Sequence, residues 1–410
     1  MRNMTKRAGV YRAALLTRAG LIAALTALAG LTGCAGGPAA LLESKAGTSA
    51  DTITVTPADG AKGVVRTDRI QVGVPDGRLE RVKVTQVEDA RPAELPGRLS
   101  ADGRTWTPSA GAVVALAARY RVDAVAVDGA GRRSARHTTF TTAVPENRFT
   151  AYFSPENRAT VGTGMIISVD FNREVRDRAA VQRAITVTSD PPVEVAAHWF
   201  GRDRLDFRPR EYWQPGTEVT VELALRDVQA APGVFGMQHK TVGFTVGRSQ
   251  VSLVDAEEHT MEVRRDGEPL STLPITAGDA KNPTYNGKMV VTELHDVTRM
   301  NGGSVGFGAE YDIKDVPHAI RLTTTGTFLH GNYWESRSTF GSENVSHGCV
   351  GLRDAKGGDP DSPAGWFFER TLVGDVVEVV NSRDRTVAPD NGLGGWNMEW
   401  NKWKAGSAVR

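Results

Sequence analysis

A mostly β chain built of several domains in tandem is predicted by three observations. Short runs of alternating polar and apolar residues recur along most of its length, as in Thr52-Ile53-Thr54-Val55-Thr56 and Arg121-Val122-Asp123-Ala124-Val125. Turn pairs such as Asp59-Gly60, Asp76-Gly77, Asp102-Gly103 and Asp128-Gly129 separate those runs. Forty-four Gly and twenty Pro accompany few long helical patterns.

The first 33 residues read as an export signal. Arg2, Lys6, Arg7, Arg12 and Arg18 give a positive start, and residues 21–31 form a short apolar core. That core falls short of the roughly 20 apolar residues a spanning helix needs. It ends in Leu31-Thr32-Gly33-Cys34, which looks like a bacterial lipobox, so Cys34 is expected to carry lipid and anchor the chain to the cell membrane on its outer side. Residues 34–50, rich in Gly, Ala and Ser, read as a flexible tether.

Residues 51–145 and 146–248 read as two immunoglobulin-like sandwiches in tandem. Trp106-Thr107-Pro108 is echoed by Phe207-Arg208-Pro209, 101 positions on, and Phe140-Thr141 by Phe244-Thr245, 104 positions on. Nothing in either module converges on chemistry, and both are expected to act as spacers, with contact to the wall polymer as the alternative. A net charge of +1 with 24% charged residues gives no nucleic-acid patch and no acidic steering surface.

Residues 249–382 carry more strands, a Gly- and Asp-rich loop at 354–360, a helix candidate at 361–370 and a closing apolar strand at 376–380. Here lies the second of only two cysteines, in Ser346-His347-Gly348-Cys349. A second imidazole lies upstream in Phe328-Leu329-His330-Gly331, with fifteen residues, 331–345, between His330 and Ser346. A lone cysteine is ordinarily a small buried hydrophobe. A cysteine nucleophile needs a base, since the free thiol has a pKa of about 8.5 and the thiolate is the reactive form. Gly331 and Gly348 would let backbone amides approach an acyl group. No C-x-x-C or H-E-x-x-H spacing favours a metal. With Cys34 lipidated and Cys349 reactive, no disulfide is expected.

This constellation resembles the active-site motif of the L,D-transpeptidases, cysteine enzymes of bacterial cell-wall assembly. Ala184-Ile185-Thr186-Val187-Thr188, Pro191-Pro192-Val193-Glu194, Tyr212-Trp213-Gln214-Pro215 and Gly233-Val234-Phe235-Gly236 look like the second module of the actinobacterial lipoprotein members. The resemblance implies a β-sandwich catalytic domain, with Cys349 as nucleophile, His330 activating it, the Gly331 carbonyl orienting His330, and His347 close by in an orienting role. It implies Gly348 and Cys349 N–H groups as oxyanion donors, and Tyr311, Thr325, Gly326, Ser346, Gly351 and Met300 as substrate contacts. The position two after the nucleophile is usually Asn or Arg in this family. Here it is Gly351, with Arg353 as a side chain able to stand in for it.

The implied reaction joins third-position diaminopimelate residues of peptidoglycan stems through a thioester, releasing D-Ala, without metal or organic cofactor. A tetrapeptide stem is the donor, a second stem the acceptor, and carbapenems are implied acylating inhibitors. The same nucleophile would serve an L,D-carboxypeptidase or a wall-anchoring acyltransferase, and an inactive lipid-anchored scaffold is the non-enzymatic alternative. A last segment, 383–410, places Trp396, Trp400 and Trp403 at i, i+4 and i+7, on one face of a helix. By resemblance it packs back on an earlier module, and a wall-binding aromatic stripe is the alternative.

Overall fold

The computed structural model describes residues 52–64, 70–87, 93–304 and 312–409. The leader, the tether with Cys34, and Tyr311 lie outside the described residues. The described chain is mostly β and starts with two successive sandwiches.

Alternation sets the strands of both. In Arg119–Val127, Tyr120, Val122, Ala124 and Ala126 point into the first core while Arg119 and Arg121 face water. Two four-stranded sheets enclose that core around Ile53, Val72, Trp106 and Phe140. In Glu218–Ala224, Val219, Val221 and Leu223 do the same for the second core, with Glu218 and Glu222 outside. The second sandwich adds a three-stranded sheet that includes Asn147–Phe149.

The remaining domain is one nine-stranded sheet. Its strands are β1 (Gln250–Asp255), β2 (Thr260–Arg265), β3 (Glu268–Thr276), β4 (Gly287–Val290), β5 (Glu293–Asn301), β6 (Asp312–Arg321), β7 (Phe328–Asn332), β8 (Val350–Arg353) and β9 (Val376–Val380). Their order is β4-β9-β1-β2-β3-β8-β7-β6-β5. Both halves of the sheet feed one core that includes Met261, Ile275, Leu329, Leu352 and Val377, so the sheet closes on itself as a sandwich. Helix α1 (Pro363–Phe368) packs on β6, β7 and β8. It starts where the Ser362 hydroxyl accepts the Gly365 N–H and proline occupies the first turn.

The second sandwich and this domain meet closely. Gly162 N–H donates to the Val373 carbonyl at 2.8 Å and Gly164 N–H to Gly374 at 2.9 Å. A β-carbon on Gly164 would stand 2.3 Å from Val376 Cγ2, so only glycine permits the approach. Arg248 and the almost fully buried Asp375 form an ion pair at 2.6 Å beside it.

The tryptophan tail departs from the single helix that its spacing predicts. Trp396 sits in a 3-10 turn, Gly394–Asn397, Met398 is extended, and only Trp400–Ala405 is α-helical. The break lets the three rings surround one guanidinium instead of lining a stripe. The charge of Arg208 lies 4.6 Å from Trp396, 5.3 Å from Trp400 and 4.6 Å from Trp403. Trp403 is fully buried in the core of the second sandwich, and its indole N–H donates to the Ala196 carbonyl at 2.9 Å.

Candidate active site

The spacing between the two motif halves is the length of a crossover. Strands β7 and β8 are parallel neighbours, with Leu329 beside Val350 and His330 beside Gly351. Parallel neighbours cannot be joined by a tight turn, so the chain must travel back between them. Residues 333–349 make that journey, and Cys349 is delivered at its end, one residue before β8.

The approach to Cys349 is tied down residue by residue. Asn344 accepts the Ala277 N–H and donates to the Ala256 carbonyl, both at 2.7 Å. Val345 N–H donates to Thr276 Oγ1 at 3.1 Å, and Ser346 N–H donates to the Ala277 carbonyl at 3.0 Å. The Ser346 hydroxyl donates to the Cys349 carbonyl at 2.5 Å and accepts the Gly348 N–H at 3.2 Å. Gly348 has φ +107°, a conformation glycine supplies without strain.

These bonds bear on two expectations. The Gly348 N–H is spent on Ser346, so of the two N–H groups expected to face an oxyanion only that of Cys349 is left for the role. The Ser346 hydroxyl holds the turn closed, although Ser346 still lines the cavity.

Cys349 opens into a cavity of about 330 Å³. His330, His347, Ser346, Gly326 and Met300 line it too. Met300 forms an apolar floor with Val316, Ala319 and Phe328, against which Cys349 packs. The Cys349 thiol donates to the Gly326 carbonyl at 3.5 Å. His330 is buried, with Nδ1 at 3.1 Å from the Gly331 carbonyl. A carbonyl can only accept, so Nδ1 carries the proton and Nε2 keeps the lone pair. Trp334 stacks on the imidazole, with centroids 5.6 Å apart.

Gly331 acts behind the cavity. A side chain there would meet the Asp354 carboxylate at 2.2 Å. Asp354 is held at 2.7 Å by His318 and by the N–H groups of Ala355 and Asp359.

Electrostatics modify the thiolate expectation. Enough protein surrounds the partly exposed Cys349 that burial pushes its thiol up to about 11, against a weaker opposing backbone hydrogen bond. Burial also lowers His330 below the usual imidazole value, with the Gly331 hydrogen bond opposing. Both shifts favour the uncharged pair, a neutral thiol beside a neutral imidazole.

Thr325, Gly351 and Arg353 do not line the cavity. Thr325 instead ties the turn that carries Gly326 to the tail. Its N–H donates to Asn391 Oδ1 at 3.2 Å, and its hydroxyl accepts from Asn391 Nδ2 at 2.8 Å. Gly351 faces Thr276 and Asn332, with no room for the side chain the motif usually carries. Sequence reasoning passed over Asn332, Trp334, Phe328, Arg299, Arg321 and Glu293, all of which line the cavity. For Asn332 a signal existed, because it follows His330 by two on a strand and shares its face. Among the described residues no cluster of His, Cys, Asp and Glu is able to hold a metal ion.

Comparison with known proteins places this cavity in a lineage. A family model of the L,D-transpeptidase catalytic domain matches residues 249–379, and a bacterial Ig domain model matches residues 61–229, running across both sandwiches. L,D-transpeptidase 2 of Mycobacterium tuberculosis is 32% identical over 360 residues, covering 87% of this chain and 85% of that protein. L,D-transpeptidase 5 of the same species is 31% identical over 386 residues, covering 92% and 82%. Among solved structures, LD transpeptidase LdtMt1 in complex with imipenem shares 30% identity at a TM-score of 0.48, covering 58% of this chain and all of that one. The likeness to the two M. tuberculosis proteins takes in the sandwiches together with the cysteine cavity, and this chain belongs to the L,D-transpeptidase family, whose members are cysteine-dependent acyltransferases.

Proposed function

We propose that this chain cross-links peptidoglycan stem peptides between third-position diaminopimelate residues. Cys349 Sγ attacks the carbonyl of the third residue of a donor tetrapeptide. A C–S bond forms, the thiol proton passes to His330 Nε2, and the carbonyl oxygen takes negative charge beside the Cys349 N–H. Collapse breaks the amide C–N bond, the imidazolium proton goes to the leaving amine, and D-Ala departs. The side-chain amine of an acceptor stem, losing a proton to His330, then attacks the thioester. The C–S bond breaks, and the sulfur recovers its proton. Thiol, imidazole and two peptides account for every bond and proton.

One observation carries this reading: His330 has Nδ1 committed to the Gly331 carbonyl and Nε2 free for the cavity it shares with Cys349. A base oriented by a third group is the general logic of such sites. Carbapenems would be attacked at the β-lactam carbonyl by the same sulfur. The export signal and Cys34 support a lipid-anchored location outside the cytoplasm, with the sandwiches spacing the cavity from the membrane. Labelled palmitate should enter the chain in cells and be lost on Cys34→Ala.

The reaction is tested by incubating the purified chain with disaccharide-tetrapeptide and reading products by mass spectrometry. A cross-linked dimer with loss of D-Ala is expected. Tripeptide alone would make water the acceptor and the chain an L,D-carboxypeptidase. No product, with Cys349 inert to a carbapenem, would overturn the enzymatic reading.

A further inference from the structure

The cavity holds one buried polar group that the motif does not use. Asn332 is 3% exposed, and it lines the cavity together with His330. Its Oδ1 accepts the N–H groups of Trp334 at 3.2 Å and Glu335 at 3.1 Å. Those two bonds set the amide's orientation, since only the oxygen can accept. Its Nδ2 donates to no described residue. It is not among the sealed-off unpaired atoms, so this donor keeps accessible surface on a residue that lines the cavity and is open to an incoming acceptor.

The neighbouring strand shows what this amide replaces. A β-carbon on Gly351 would lie 3.3 Å from Asn332 Nδ2, 3.4 Å from Asn332 Cβ and 2.9 Å from Thr276 Cγ2. Positions 332 and 351 therefore compete for a single space, next to the base and two residues past the nucleophile. Asn332 and the Thr276 methyl fill it together, the methyl most tightly, and glycine is the residue that fits at 351 unshifted.

We propose that Asn332 grips the donor, its Nδ2–H donating to a backbone carbonyl oxygen of the stem peptide beside the bond that Cys349 attacks. The amide is supplied from β7 where the family pattern supplies a side chain from β8. This rests on the transpeptidase reading above and names a specificity residue within it.

The test follows Cys349 acylation by disaccharide-tetrapeptide with intact-protein mass spectrometry, at varied donor concentration. Asn332→Ala should lower the second-order acylation rate roughly tenfold, mainly through a higher donor KM. Asn332→Asp keeps both turn bonds but removes the donor, so it should lose at least as much, which separates grip from turn structure. Gly351→Asn, made with Thr276→Ser to clear the facing methyl, should impair the otherwise native chain and restore acylation to Asn332→Ala. That reversal of sign is the signature of one shared space. Iodoacetamide labelling of Cys349 reports the thiol in every variant.

Wild-type donor kinetics in both Asn332 variants would overturn the proposal. So would an effect of Gly351→Asn that is the same in both backgrounds. If the native chain itself takes no acyl group while iodoacetamide still labels Cys349, the transpeptidase reading falls and takes this one with it.

Discussion

The cysteine cavity and the tryptophan seam both bury polar groups among apolar ones, and they treat them in opposite ways. At the seam, Arg208 donates to the carbonyls of Pro209, Arg210 and Met398 and lies against three indole faces. Burial pushes it down to about 10, which leaves it charged at neutral pH. In the cavity, the Cys349 thiol donates to a distant carbonyl, His330 keeps one nitrogen open, and the Asn332 amide nitrogen has no partner among the described residues. At the seam three carbonyls and three ring faces hold the guanidinium, only its Nε lacking a partner among the described residues, whereas the cavity leaves polar atoms open for a substrate. Damage to the seam should thus appear in stability, and damage to the cavity in chemistry.

The largest effect falls on the cavity. Cys349→Ala should abolish acylation by tetrapeptide or carbapenem while leaving the melting temperature close to native, as read by mass spectrometry and thermal denaturation. His330→Ala should cost about 10²–10⁴-fold in acylation rate, the usual worth of a positioned base. Trp403→Ala should reverse the pattern. Emptying a fully buried indole site costs about 3–5 kcal/mol, to be measured by denaturant unfolding, and Cys349 should still take up a carbapenem at 25 °C.

The smallest effect should come where the two regions touch. Arg204 of the second sandwich donates to the Asp390 and Gly392 carbonyls, at 2.9 and 2.7 Å. Between them Asn391 holds Thr324 and Thr325, next to Gly326, whose carbonyl accepts the thiol. Asn391→Ala should slow acylation by a few-fold, in proportion to one or two neutral hydrogen bonds. An effect as large as that of His330→Ala would mean the seam sets the chemistry directly, and the contrast would fail.

Much of this was legible in the linear sequence, for a physical reason. Alternation with period two marks strands wherever one face is buried, so Val219, Val221 and Leu223 announced their sheet. The His330 and Cys349 motifs stood out because each is contiguous, and their separation is the length of a parallel crossover. What depends on register across strands stayed hidden. Gly351 looked like a missing side chain until the pairing of β7 with β8 put Asn332 in its space. Thr325 read as a substrate contact because its tie to Asn391 spans 66 residues. The tryptophan spacing suggested one helix, and the pull of Arg208 on three rings and on the Met398 carbonyl outweighed that periodicity. The direction of the charge shifts was equally out of reach, since it is burial in the fold that pushes the thiol up and the imidazole down.

The central claim is that a neutral thiol passes its proton to a neutral His330 as it attacks. The most direct test is the rate of Cys349 acylation by tetrapeptide between about pH 5 and pH 9, with and without His330. Because burial lowers His330, the base form persists into acid. The rate should rise with a midpoint below about 6.5, the usual imidazole value, and then stay level, and His330→Ala should lose that step. A rate that instead climbs tenfold per pH unit across the whole range, in step with a thiol titrating near 11 and regardless of His330, would contradict the account.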